Sequence, residues 1–409
     1  MRVVDMHCDT IGEIYENRLL GNKYELKENN LHVDINKLIK GEYLLQNFAM
    51  FIDIKKYKNP YKTLQEMIQV YYEELEENRD IIKPVYSYED ISMCANENKI
   101  GALLTIEDAG ALEGSLINLK TVYKQGVRLI TLTWNHINGV GFPNFKFKID
   151  ACGNITEKVD LITPNTEFGL TAFGVELLRE MERLGIIVDV SHLSDAGFYD
   201  VLKYSKKPFV ASHSNARAVT NVVRNLTDDM IRKLADKGGV VGINFCSNFV
   251  MPTPHTDLTF TYIEDLVKHI KHIKNVGGID VIALGTDFDG IQSTLEIKDA
   301  SQIQLLAEAL LNNDFTYEEV EKIFYKNTTQ IRIIAQTHYK VYQTTELLNL
   351  VHTNFCTKSA NKSAFCQNTT VFIGKIHAVR FLVSGKSIYA VPSCIATEVH
   401  ATRESWENI

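Results

Sequence analysis

The stretch Val3-Val4-Asp5-Met6-His7-Cys8-Asp9-Thr10 is a short apolar run that ends in a His-x-Asp pair. Residues i and i+2 of a strand point to the same face, so His7 and Asp9 are expected side by side at a strand end. An imidazole and a carboxylate in this arrangement make half of a divalent metal site. The pair alone is a weak signal, and it gains weight because the same design recurs along the chain.

Six more apolar runs stop at polar residues that can do chemistry. They are Ala102–Ile106 before Glu107, Arg128–Thr133 before Trp134-Asn135-His136, Ile186–Val190 before Ser191-His192, Pro208–Ala211 before Ser212-His213, Val240–Ile243 before Asn244, and Val281–Leu284 before Gly285-Thr286-Asp287. With the opening run and Leu45–Asp53 they give eight candidate strands. Their nearly continuous hydrophobicity is typical of a parallel sheet that is buried on both faces.

Amphipathic helical patterns separate these runs. They cover Thr63–Glu77, Phe168–Leu184, Thr227–Lys237, Tyr262–Asn275 and Gln302–Leu311, and Thr316-Tyr317-Glu318-Glu319 has capping-box spacing. Strands that alternate with helices predict an α/β fold of the (β/α)8 TIM-barrel type, with reactive residues at the carboxyl ends of the strands. An open doubly wound sheet is the alternative. That fold usually carries a Gly-rich phosphate loop after its first strand, and none follows Asp9.

The composition excludes several classes of protein. The 409 residues are 45% hydrophobic and 23% charged, which is ordinary for a soluble globular protein. A net charge of −8 and a pI near 5.9 argue against nucleic acid or an anionic membrane as the main partner. The seven cysteines include no CxxC pair. Because the first strand begins at residue 2 or 3 and no long apolar run exists, we expect no signal peptide, no membrane span and a cytoplasmic location.

The regular alternation stops near residue 329. We therefore expect a barrel domain over residues 1–329 and an atypical C-terminal tail over 330–409, which is disordered or foreign to the barrel. Strand-like fragments such as Ala378–Val383 have no evident pairing partner. Cys356, Cys366 and Cys394 leave a metal-binding appendage as the alternative for this tail.

Five residues at the strand ends form one candidate set of metal ligands: His7, Asp9, Glu107, His192 and His213. Three imidazoles and two carboxylates suit zinc or another borderline first-row ion. Five ligands are too many for one tetrahedral ion with an open position, and they suit two ions that share a carboxylate. Two such metals can hold a hydroxide and polarise a carbonyl together. A carboxylate at 287 is then placed to take the proton of that water and pass it to a leaving amine.

The chain resembles the membrane dipeptidases, also called renal dipeptidases, in their bacterial form. The resemblance runs from about Val3 to Asn327, and its blocks are Asp5–Asp9, Thr105–Glu107, Val188–Ser194, Ala211–Arg217 and Gly285–Gly290. It implies a (β/α)8 barrel that holds two Zn²⁺ ions and hydrolyses dipeptides, with a D-residue tolerated at the C-terminal position. It also implies a homodimer. By this resemblance, His7 and Asp9 bind one zinc, His192 and His213 bind the other, and Glu107 bridges them.

The resemblance also implies residues on the substrate side. Asp287 matches the acid/base aspartate, and Arg224 matches the arginine that holds the substrate carboxylate, a role that suits a bidentate guanidinium. Mammalian members place a histidine where Trp134 stands here, and His136 is the candidate to replace it because residues 134 and 136 share a strand face. The mammalian tyrosine after Asn-Phe is here Cys246. These two changes concern specificity more than the reaction.

Two other functions remain open at this point. One is a binuclear amidohydrolase that acts on a cyclic amide or ester; many such enzymes bridge their metals with a carboxylated lysine, and Glu107 with no lysine at the end of the fourth strand disfavours it. The other is a barrel that binds metal but has lost catalysis. The changes at Trp134 and Cys246 and the unusual tail favour that reading, whereas an intact Asp287 and ligand set argue against it.

Overall fold

The computed structural model describes residues 1–149, 155–251 and 260–329, together with the backbone of three later strands. The chain divides into two compact units, Met1–Tyr342 and Gln343–Ile409. The predicted boundary after residue 329 falls at the edge of the described residues. The domain division at that position therefore stays a prediction.

The strands and helices of the first unit follow one another along the chain as the alternating pattern predicts. The described strands are β1 (Val3–Asp5), β2 (Tyr43–Phe51), β3 (Ile82–Pro84), β4 (Ile100–Glu107), β5 (Leu129–Thr131), β6 (Lys146–Ile149), β7 (Ile155–Asp160), β8 (Ile187–Asp189), β9 (Val241–Ile243), β10 (Phe260–Thr261), β11 (Ile282–Leu284) and β12 (Thr294–Leu295). The described α-helices are α1 (Thr10–Leu19), α2 (Ile35–Lys40), α3 (Pro60–Glu77), α4 (Tyr88–Glu97), α5 (Leu116–Lys124), α6 (Ala172–Leu184), α7 (Asp195–Tyr204), α8 (Asp228–Asp236), α9 (Ser247–Val250), α10 (Ile263–Gly277), α11 (Gln304–Leu311) and α12 (Tyr317–Glu321).

Eight parallel strand segments close into a ring. Seven strands pair in the order β8-β5-β4-β2-β1-β11-β9. The gap between β8 and β9 is filled by residues 210 and 211, since Asp189 bridges Val210 and Ala211 bridges Val241 in parallel register. All eight predicted strands take part in this ring. The (β/α)8 TIM-type barrel is thus confirmed, and the open doubly wound sheet is excluded because the ring has no free edge.

The ring strands are apolar on both faces, as the sequence predicts. Every residue of β4 is buried, and in β2 only Phe51 is partly exposed. Near the barrel axis, Gly242 and Gly285 both approach the backbone carbonyl oxygen of Ser212, and a Cβ atom on either glycine would overlap that oxygen. Small residues are therefore required where these three strand ends meet.

Capping residues set the ends of the helices. The pattern over Phe168–Leu184 predicts a longer helix than the one observed, which begins at Ala172 because the Thr171 hydroxyl accepts a backbone N–H of the first turn. Thr316 and Glu319 form the predicted capping box at the start of α12. Within the described part of the chain, none of the helices combines the length and the apolarity that crossing a bilayer requires.

Two features differ from the sequence prediction. The short strand β3 pairs with the start of β4 outside the ring, where the sequence shows no clear strand pattern. In the second unit, the backbone forms a three-stranded antiparallel sheet of β13 (Thr369–Ile373), β14 (His377–Ser384) and β15 (Ser387–Pro392), so the fragments without an evident partner pair with each other. The tail cysteines, and the expectation of disorder that covers 330–368 and 393–409, lie outside the described residues.

Candidate metal centre

The five predicted ligands meet at one end of the barrel because all ring strands run in the same direction. His7 and Asp9 follow β1, Glu107 ends β4, His192 follows β8, and His213 follows the segment 210–211. None of the five exposes more than 8% of its surface. They form two candidate metal-binding groups, one of His7, Asp9 and Glu107 and one of Glu107, His192 and His213, and Asp287 forms a third group with His7 and His213. Within each group, all ligand atoms lie within 4.8 Å of one another. The structure therefore brings together all five residues.

Glu107 lies between two sets of imidazoles. Its Oε1 atom is 2.9 Å from Nε2 of His192 and 3.6 Å from Nε2 of His213. Its Oε2 atom is 3.4 Å from Nε2 of His7, which is itself 3.2 Å from Oδ2 of Asp9. Each oxygen of one carboxylate thus faces a different group of ligands. This is the arrangement expected of a carboxylate that two cations share.

The two histidines near Oε1 of Glu107 are held neutral. Burial, followed by the charge of Arg224, lowers the pKa of His192 to about 4. Burial also lowers the pKa of His213 well below its usual value. Nδ1 of His192 donates to Oδ1 of Asn135 at 2.8 Å, so the lone pair of this ring is on Nε2 and points into the site. Neutral imidazole with a free nitrogen is the form that binds metals.

The carboxylates near His7 are buried with less positive charge around them than their negative charges require. Burial raises the pKa of Asp9 to about 6 and that of Asp287 to about 7, although His7 opposes both shifts. Burial lowers the pKa of His7, but the charges of Asp9 and Glu107 outweigh it and raise this pKa well above its usual value. Oδ1 of Asp9 is buried and accepts no hydrogen bond from the described residues. Crowded carboxylates, neutral imidazoles and an unpaired buried oxygen fit bound cations.

Asp287 lies beside the five predicted ligands. It shares a candidate group with His7 and His213, but it belongs to neither of the two groups that contain Glu107. It follows β11 and has a left-handed backbone, with φ at +63°. The side-chain N–H of Asn244 donates to its Oδ2 at 2.8 Å, whereas its Oδ1 lies 3.8 Å from Nε2 of His7. One oxygen is therefore fixed by the protein, and the other faces the cluster. Non-glycine residues in this backbone conformation are often found at functional sites.

Arg224 is a buried cation beside the cluster. It exposes 3% of its surface, and its guanidinium lies over the ring of Phe249, 5.2 Å from the centroid. It donates to the backbone oxygen of His213 at 3.3 Å, and its Nε atom has no hydrogen-bond partner among the described residues. No carboxylate of the described residues lies within 4.0 Å of it. A buried guanidinium without a carboxylate partner is suited to bind an anionic ligand.

Trp134, which stands where mammalian members have a histidine, and His136, its candidate replacement, lie near the ligand His192. The Trp134 ring centroid lies 6.3 Å from that of His192 and 4.8 Å from that of Phe51. His136 packs edge-on against Trp134, and its Nε2 lies 3.5 Å from Oδ1 of Asp53. His136 is thus directed to a carboxylate of its own and is absent from the groups that could hold a metal. Its predicted substrate role stays a prediction.

Three residues that shape the site stand among the polar strand-end residues of the sequence analysis, which assigns them no role. They are Asn135, Ser212 and Asn244, which hydrogen-bond His192, His213 and Asp287. Each stands at the end of one of the ring strands, so its position was a usable signal, but amide and hydroxyl groups are too common there to single out. The sequence gives no sign of the close approach at Gly290 described next.

Gly290 lies against two of the carboxylates. An added Cβ atom there would be closer than 3.0 Å to Oδ2 of Asp9 and to Oδ1 of Asp287. Gly290→Ala is therefore expected to displace both groups and to lower the amount of divalent metal that the dialysed protein retains, as measured by elemental analysis. Gly12→Ala is the control, since its Cβ would meet nothing within 4 Å. Equal metal content in the two variants would contradict this role of Gly290.

The barrel domain is similar to known proteins along its whole length. Residues 1–346 match the family model of membrane dipeptidase, peptidase family M19. An uncharacterized dipeptidase of Schizosaccharomyces pombe is 30% identical over 374 residues, which are 87% of this chain and 85% of the relative. An uncharacterized Klebsiella pneumoniae protein in the pqqA 5′ region is 33% identical over 242 residues, which are 59% of this chain and 84% of the relative.

Solved structures show the same fold. A dipeptidase described as a metallopeptidase of family M19 has a TM-score of 0.73 and 24% identity, with 82% of this chain and 98% of the other covered. A metallopeptidase of Rhodobacter sphaeroides, solved with a phosphinate mimic of L-Ala-D-Ala, has a TM-score of 0.72 and 24% identity over 82% and 99% of the two chains. The chain therefore belongs to the membrane dipeptidase family, peptidase family M19, and is a metallo-dipeptidase.

Proposed function

We propose that the chain binds two Zn²⁺ ions and hydrolyses dipeptides, including dipeptides with a D-residue at the C-terminal position. The observation that carries the proposal is the position of Glu107. Its Oε1 faces His192 and His213, and its Oε2 faces His7 beside Asp9. One group, His7, Asp9 and Glu107, would hold one ion, and the other, Glu107, His192 and His213, would hold the second. Imidazole and carboxylate ligands suit zinc.

The ions and the side chains around them would have different roles in hydrolysis. When bound, the two ions would supply Lewis acidity and would make a hydroxide nucleophile available at neutral pH. Asp287 is positioned to accept a proton and to return it to the leaving amine, because Asn244 fixes its Oδ2 and its Oδ1 faces the cluster. All five proposed ligands are buried, and electrostatic interactions among buried groups are stronger than among exposed ones.

Arg224 would bind the free carboxylate of the substrate. Its buried guanidinium has no carboxylate partner within 4.0 Å among the described residues, and it donates to the backbone oxygen of His213, one of the proposed ligands. A substrate anchored there would have its carboxylate beside the group that includes His213. The Rhodobacter sphaeroides relative was solved with a mimic of L-Ala-D-Ala, which supports the proposal that a C-terminal D-residue is accepted. A homodimer and a cytoplasmic location remain predictions from the sequence.

The roles of metal ligand and proton carrier can be separated by mutation. His7→Ala should lose metal and activity together, because it removes a ligand. Asp287→Asn should keep both zinc ions but lower kcat by ~10²–10⁴-fold, the usual contribution of a general acid/base. Elemental analysis and kcat measured on the same preparations check both outcomes. Near-normal turnover of Asp287→Asn would show that another group carries the proton.

The role of Arg224 can be tested by substrate and by mutation. Dipeptides should be cleaved much faster than their C-terminal amides, which lack the carboxylate. Arg224→Lys keeps the charge but loses the planar fork, and it should lower kcat/KM for dipeptides roughly 10- to 150-fold, the value of a charge-assisted hydrogen bond. Hydrolysis of the amides should change little.

Arg217→Lys is the matched control, because the Arg217 guanidinium is already paired with Asp195 at 2.7 Å. It should leave the preference for dipeptides over amides unchanged. Equal cleavage of dipeptides and amides, with both affected alike by Arg224→Lys, would favour the alternative of a general binuclear amidohydrolase.

A further inference from the structure

Asp189 is a fully buried carboxylate at the end of β8 that none of the roles above uses. Its Oδ1 accepts the backbone N–H groups of Ser191 at 3.0 Å and of Ser212 at 2.8 Å. Its Oδ2 accepts the hydroxyls of Thr131 at 2.6 Å and of Ser212 at 2.5 Å. Four donors thus surround the two oxygens, and a carboxylate without a proton can accept all four hydrogen bonds.

The hydroxyl of Ser212 connects this carboxylate to the metal centre. Its oxygen lies 2.7 Å from Nδ1 of His213, on the side of the ring opposite the metal ligands. A serine hydroxyl has one proton, and an ionised carboxylate can only accept. Because that proton is donated to Asp189, the Ser212 oxygen must accept from His213. Nδ1 of His213 therefore carries the ring proton, and Nε2 carries the lone pair.

A neighbouring serine fits the same arrangement of protons. The Ser191 oxygen accepts the backbone N–H of His213 at 3.1 Å and lies 3.3 Å from the Ser212 oxygen. Its own hydroxyl is free to donate to Ser212, which has a second lone pair for it. No other donor competes for Nδ1 of His213, and each hydrogen bond made by Asp189, Ser191 and Ser212 has one donor and one acceptor.

We propose that Asp189 is a positioning residue that acts through Ser212 to fix the tautomer and the orientation of His213. The inference rests on the proposed function, since it takes His213 as a zinc ligand. Nε2 of His213 lies 3.0 Å from Nε2 of His192 and 3.6 Å from Oε1 of Glu107. A proton on that nitrogen would occupy the space where a cation is bound. The carboxylate–serine–imidazole chain keeps the proton on the other nitrogen and orients the ligand.

Three variants separate this role from general support of the barrel. Asp189→Asn places an amide N–H against the Ser212 oxygen, which releases the hydroxyl proton toward Nδ1 of His213 and moves the ring proton to Nε2. Ser212→Ala removes the link and leaves His213 as a mixture of tautomers. Thr131→Val is the control, because it removes one donor to Asp189 at the same oxygen but leaves the chain to His213 intact.

The first measurement is made without metal. Long-range ¹H–¹⁵N NMR of the full chain labelled with ¹⁵N-histidine reports which ring nitrogen is protonated, and the His213 signals are assigned by their loss in His213→Gln. Wild type and Thr131→Val should show a proton on Nδ1. Asp189→Asn should show it on Nε2, and Ser212→Ala should show intermediate shifts.

The second measurement is zinc affinity by competition with a chelator. Asp189→Asn and Ser212→Ala should bind the ion at Glu107, His192 and His213 about 10–100-fold less tightly than wild type, the usual effect of losing such a partner, whereas Thr131→Val stays close to wild type. If Asp189→Asn does not fold, Ser212→Ala carries the test, because it removes a single oxygen.

Two results would overturn the inference: a proton on Nε2 of His213 in the wild-type chain, or zinc bound as tightly by Ser212→Ala as by Thr131→Val. Failure of the proposed function is distinguishable from either. A wild-type chain that binds no zinc would contradict the function, while the tautomer measured without metal would still decide the role of Asp189.

Discussion

The surrounding structure has to stabilise one buried carboxylate, Glu107, which lies between the imidazoles of His7, His192 and His213. Glu107 is buried, and burial alone would raise its pKa, but the charge of the nearby His7 holds that pKa well below its usual value. An ionised group in this position is costly unless positive charge lies close on both sides. The barrel brings ligands from three other strand ends to the two oxygens of this side chain, and cations bound by those ligands would satisfy the condition.

The barrel can do this because parallel strands place their carboxyl ends at one face. Closing the ring through residues 210 and 211 brings His213 next to His192, although the two residues belong to different strand–helix units. Residues that do not face the metal groups also contribute to the site. Asp189 joins the ends of three ring segments by hydrogen bonds, so the same group that stabilises the barrel end also reaches a proposed ligand.

Much of this arrangement could be predicted from the sequence because strand periodicity and strand-end chemistry are local signals. The eight apolar runs predict the ring, and the polar residue after each run predicts which side chains meet. Contacts that depend on side-chain direction could not be predicted. His136 shares a strand face with Trp134, but its ring contacts Asp53, and neither this pairing nor the bond between Asn135 and His192 follows from spacing. The pairing of the tail strands was missed because short β-fragments carry no signal for their partners.

The central claim is that two cations share Glu107, and anomalous diffraction from crystals of the zinc-loaded protein tests it most directly. Data collected on either side of the zinc absorption edge should give two peaks, one bound by Oε1 with His192 and His213 and the other by Oε2 with His7 and Asp9. Two metals bridged by one carboxylate are expected about 3.5–4 Å apart. A single peak at full occupancy, or two peaks of which only one contacts Glu107, would contradict the account.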